Sequence, residues 1–95
     1  MSYLNELGFE ESVIKLLNET LPISTIEILE KEKDIVISNI SYLKDLGINN
    51  YQDAFIKFYN MFLLDYKSFD DIFSKYDKED LVAKLEKNIA IMEYL

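Results

Sequence analysis

An all-α fold is predicted for this chain by three observations. The segment Ser2-Tyr3-Leu4-Asn5-Glu6-Leu7-Gly8-Phe9 returns 39 residues later as Ser41-Tyr42-Leu43-Lys44-Asp45-Leu46-Gly47-Ile48, a period typical of helical repeat proteins. Aromatic residues at 51, 55, 58, 62, 66, 69, 73 and 76 step by threes and fours, the spacing of one helix face. With only two glycines and one proline, the chain has little material for hairpin turns. The predicted architecture is a small right-packed helical bundle or two-repeat helical stack of about six helices. It forms a single domain over 1–95, with repeat 1 near 2–40 and repeat 2 near 41–95.

Each copy of the repeated segment reads as a helix end. Glycine accepts the left-handed conformation that closes a helix, and the apolar pairs Leu4 with Phe9 and Leu43 with Ile48 fall where a Schellman closure needs its hydrophobic contact. The first helix is therefore short, from Ser2 to Leu7. Glu10 and Glu11 favour a new N-terminus, and Val13, Ile14, Leu16 and Leu17 give a second helix one apolar side, ending near Glu19. Pro22 stops it. Ser24-Thr25-Ile26-Glu27 has the form of a capping box, which would open a third helix.

Lys31 to Lys33 marks a charged break. From Asp34, Val36, Ile40 and Leu43 carry a helix into Gly47, and Asn49 and Asn50 are both candidate caps of the next helix, with Asp53 at N3 if Asn50 is the cap. The aromatic series then divides into helices Tyr51 to Leu64 and Phe69 to Tyr76, with Ser68 as the intervening cap. Asp77, with Asp80 at N3, caps a last helix running from Lys78 to Leu95, whose stripe is Leu81, Leu85, Ile89, Met92 and Leu95. Ile91-Met92-Glu93-Tyr94-Leu95 echoes Ile40-Ser41-Tyr42-Leu43, like the opening of a third unit.

Composition narrows the chemistry. Cysteine and histidine are absent, so no disulfide, zinc site, thiol nucleophile or imidazole base exists. Eighteen acids face ten bases for a net charge of −8, and every base is lysine. Without the arginine fork for phosphates and guanine edges, and on a repelling background, these features argue against a nucleic-acid partner. Neither a secretion signal nor an apolar run of membrane-spanning length is present, which predicts a cytoplasmic protein with no membrane association.

The pattern Tyr3-Leu4, Leu7-Gly8-Phe9 and Tyr42-Leu43, Leu46-Gly47-Ile48, with Pro22 between, resembles the helical repeats of mitochondrial transcription termination factor-like proteins over nearly the whole chain. That resemblance implies stacked helices and a nucleic-acid-associated, transcription-related role on a basic concave surface. Lys31, Lys33, Lys44, Lys84 and Lys87 would have to converge to build it. The second unit departs from the pattern: Tyr42 to Tyr94 is 52 residues, and no proline follows Gly47.

Catalytic and metal readings find little support. Ser12-Val13-Ile14-Lys15 and Ser41-Tyr42-Leu43-Lys44 fit the S-x-x-K pattern of penicillin-binding enzymes, yet the companion S-D-N and K-T-G motifs are missing. Asp70, Asp71, Asp77 and Asp80 lack the calcium-loop arrangement, and three of them have a helix-start explanation. The aromatic series lacks the basic groove of a single-strand binder and reads as core. The sequence thus predicts no enzyme, no cofactor and no metal. It predicts an acidic module that docks a protein partner through an apolar and aromatic surface rimmed by carboxylates: Phe69, Phe73, Tyr76, Leu81, Leu85, Ile89, Met92, Tyr94 and Leu95. A nucleic-acid mimic that inhibits a nucleic-acid-binding protein, or a homodimer, would use the same charge and the same exposed end.

Overall fold

Gly8 and Gly47 are the only residues with left-handed backbone, at φ +92° and +100°. Around each, the same two hydrogen bonds form. Phe9 N–H donates to Leu4 O and Gly8 N–H to Asn5 O, both at 3.1 Å; Ile48 N–H donates to Leu43 O at 3.1 Å and Gly47 N–H to Lys44 O at 3.0 Å. These are paired Schellman closures, and Leu4, Phe9, Leu43 and Ile48 are all buried. A Cβ added at Gly47 meets no atom within 4 Å, so Gly47→Ala should cost only the left-handed strain, about 1 kcal/mol. At Gly8 the same Cβ would lie 2.7 Å from the Tyr51 hydroxyl, and Gly8→Ala should lose more because it also displaces that ring. Urea denaturation of the two variants checks the order.

The computed structural model describes residues 1–95. Seven α-helices and two 3₁₀ segments follow in order, with no strand. Helix α1 (Tyr3–Glu6) leads to α2 (Glu11–Thr20), α3 (Ile23–Lys31), α4 (Lys33–Leu46) and α5 (Tyr51–Phe58). A 3₁₀ segment (Tyr59–Leu63), α6 (Tyr66–Ser74), α7 (Lys78–Lys87) and a second 3₁₀ segment (Ile89–Tyr94) complete the chain. No helix is long and apolar enough to cross a membrane.

Local chemistry explains where the boundaries differ from expectation. Ser24 and Glu27 form no capping box, because the helix already starts behind Pro22, whose carbonyl accepts from Thr25 and Ile26 N–H at 3.0 and 3.1 Å. Proline's fixed φ is preorganised for that turn. Asp65 rather than Ser68 caps α6, its Oδ1 accepting from Ser68 N–H at 2.8 Å, which holds the Asp65 carboxyl below its usual pKa. Asn50 sits at the expected N-cap of α5, but its amide donates across the fold to Leu85 O at 2.9 Å. Asp77 does cap α7, accepting from Asp80 N–H at 3.1 Å.

The two longest predicted helices are each broken. Phe58, at φ −132° and ψ 39°, ends α5, and the chain tightens into the first 3₁₀ segment before reaching Leu64. Asn88 turns extended after Lys87 and caps the second 3₁₀ segment through Ala90 N–H, so no single helix runs from Lys78 to Leu95. Both 3₁₀ segments lie in the second, longer unit.

The first of these segments is tied down by Asn39, the one fully buried polar residue. From the middle of α4 its amide donates to Phe62 O at 2.9 Å and Leu64 O at 2.8 Å, supplying two carbonyls that the 3₁₀ turn leaves free. Phe62 then projects into a continuous aromatic row. Ring centroids step from Phe9 to Phe55 (5.7 Å), Phe62 (5.2 Å), Phe69 (5.5 Å) and Phe73 (4.9 Å). This row joins both units into one hydrophobic core. Lys44 fastens the two capped ends directly, donating to Leu7 O at 2.6 Å beneath the Tyr51 ring.

Candidate functional site

The structure disperses the surface expected from the aromatic series and the last helix. Phe69, Phe73, Leu81, Leu85, Ile89 and Met92 are all core residues, so none is presented to a partner. Their helical spacing marked an apolar face correctly. That face is buried because α6 packs on α4, while the second 3₁₀ segment carries Ile89 and Met92 back against α5 and α7. Of the remaining three, Leu95 is half-buried, while Tyr76 and Tyr94 are exposed. Tyr76 Oη and Lys75 Nζ both reach Leu95 O, at 3.4 and 3.3 Å.

A different surface is left open between α4 and α7. On α4, Ser38, Ser41, Tyr42, Asp45 and Leu46 recur at i, i+3, i+4, i+7 and i+8, which aligns them along one side of the helix. With Tyr66 at the start of α6 and Lys78 at the start of α7 they enclose an open hollow of about 480 Å³. A second hollow of about 360 Å³ continues from Leu46 and Lys78 along Glu79, Val82, Ala83 and Glu86 of α7. The result is one groove whose first half is lined by the α4 face and second half by the α7 face, joined at Leu46 and Lys78. Along each helix it runs roughly 12 Å, from the axial rise of eight residues.

Tyr42 anchors the groove to the core. Its ring meets Phe69 and Phe73 at 5.7 and 5.8 Å between centroids, and its outer edge meets Tyr66 at 6.1 Å. Its hydroxyl donates to Asp70 Oδ1 at 2.7 Å. Burial, then that hydrogen bond and the Asp70 charge, push the Tyr42 pKa up to about 12. Tyr66, by contrast, is 59% exposed and stands at the mouth.

A folded-state pKa above the ordinary value of 10 favours the neutral phenol. The stability this gives is fully present below pH 10 and is lost as pH rises toward 12. Burial raises Tyr3 in the same direction. Tyr42→Phe should therefore flatten, without abolishing, the alkaline fall in stability, as read by denaturation at stepped pH.

Negative charge dominates the rim. The chain's ion pairs are the Met1 ammonium with Glu30, Lys15 with Glu19, and Lys84 with Asp80. None involves Asp45, Glu79, Glu86 or Lys78, so three carboxylates and one ammonium on the rim stand outside any ion pair, Glu86 accepting only a neutral hydrogen bond from Asn49 at 3.3 Å. Of the lysines that a phosphate-binding face would need, Lys44 is committed to Leu7 O and Lys84 to Asp80. No three acidic side chains converge as a metal-holding group. What the groove offers chemically is apolar contact, aromatic edges and a negative field.

Sequence reasoning missed Ser38, Ser41, Leu46, Val82 and Ala83, none of which carries a signal alone. The signal available was the shared face of 38, 41, 42, 45 and 46 on a helix whose buried residues are Val36, Asn39, Ile40 and Leu43. Comparison with protein-family models, with curated proteins and with solved structures gives no match.

Proposed function

We propose that this protein is a non-enzymatic, acidic, cytoplasmic interaction module that docks a partner protein through the groove between α4 and α7. The carrying observation is the groove itself: Tyr42, Tyr66, Leu46 and Val82 supply apolar and aromatic contact, and unpaired Asp45, Glu79 and Glu86 surround them. An apolar centre with a polar rim is the usual anatomy of a protein-binding patch. The lack of histidine and cysteine supports a binding role over a catalytic one. At −8 per chain, self-association through this rim is opposed by like charge, so the reading has a monomer meeting a different protein.

The test is affinity capture from the native host with the wild-type chain beside Ala83→Trp. Ala83 is exposed, so tryptophan fills the groove without disturbing the core. A partner retained by the wild type and depleted at least about tenfold by Ala83→Trp is the expected result. Equal capture by both contradicts it. A partner indifferent to Ala83→Trp but released by moderate salt would favour the nucleic-acid-mimic reading instead, since that reading rests on charge alone.

A further inference from the structure

We infer that the occupant of the groove is a cationic amphipathic α-helix of the partner protein. This rests on the groove being the docking site and adds the chemistry of what fills it. Each half of the groove is a helix face with side chains at three- and four-residue intervals, the ridged relief against which another helix packs. Ser38, Ser41 and Ala83 are small and let a helix approach closely, while Leu46 and Val82 meet its apolar side.

An extended peptide fits less well. Its main-chain groups gain affinity by pairing with a sheet edge, and this fold has none. A helix satisfies its own backbone and needs only side-chain contact. Its flanking positions would face Asp45, Glu79 and Glu86, which no residue of this chain neutralises, and lysine or arginine there complements them. The same carboxylates repel nucleic acid and a second copy of this chain.

The experiment is selection from a displayed library of about 16-residue helical and proline-interrupted peptides spanning negative to positive net charge; a helix of that length covers about 24 Å. Selected peptides are titrated against the wild type, Ala83→Trp, and the charge-reversed Glu79→Lys/Glu86→Lys. The expected winners are net positive with apolar residues at i, i+3, i+4 and i+7. They should weaken at least about tenfold on either variant and lose affinity with rising salt. Winners that are acidic, neutral or extended, yet still fail on Ala83→Trp, overturn the cationic helix and leave the groove a docking site. Winners indifferent to Ala83→Trp, or no enrichment, overturn both.

Discussion

Phe62→Ala is expected to lose about 3–5 kcal/mol of stability. The ring is fully buried and lies between Phe55 and Phe69, so its removal interrupts the aromatic row in the middle. The surrounding shell has little freedom to collapse, because the backbone of residue 62 is held to α4 by Asn39. A domain of this size has about 5–15 kcal/mol in total, so the variant sits near the edge of folding. Urea denaturation reads the loss directly, and a cost below about 1 kcal/mol would mean that Phe62 is not a packed link of the aromatic row.

Asn39→Leu is the second large effect, expected at about 2–4 kcal/mol although the side chain is similar in size and more apolar. Leucine leaves Phe62 O and Leu64 O without their amide donor, and the buried Phe62 O carries the larger desolvation penalty, Leu64 O being only partly buried. The Oδ1 atom of Asn39 has no partner of its own, so the amide NH₂ alone accounts for the effect. Hydrogen exchange should localise it, with protection lost first over 59–64 and only later in α4. A neutral or stabilising substitution would show the 3₁₀ segment to be held by packing instead.

These two residues also mark the limit of what the primary structure discloses. The glycine closures and the Asp77 cap are local chemistry, complete within six residues, and they were legible in full. Ser24 and Ser68 are capable caps too, but Pro22 and Asp65 lie upstream and start the helix earlier, a competition that spacing does not decide. The second break escaped because Ile89 and Met92 keep a three-residue interval that α- and 3₁₀-helices share. Asn39 is a lone polar residue on an apolar face, and its partners lie 23 and 25 positions away.

The site was less legible than the fold for a related reason. Periodicity reports which side chains point the same way, and it identified Phe69, Leu81 and Met92 correctly as sharing apolar faces. Whether such a face is covered depends on where the rest of the chain goes: α6 packs on α4, and the last turns bring Met92 against α5 and α7. The open groove is made by Ser38 and Ser41 of α4 and Ala83 of α7, whose small size matters only once Leu46 and Lys78 join the two hollows. The acidic rim was visible as net charge, but its concentration as unpaired groups beside an apolar floor was not.

Site-specific photo-crosslinking in the native host tests the groove as the partner's site most directly. A photoreactive phenylalanine analogue is placed in turn at Ala83 and Tyr66, which line the groove, and at Ile23 and Tyr94, which are 75% and 81% exposed elsewhere. The account predicts one and the same partner attached at 83 and 66, through a helical segment, with nothing attached at 23 or 94. A partner attached at 23 or 94 while 83 and 66 stay bare would contradict it.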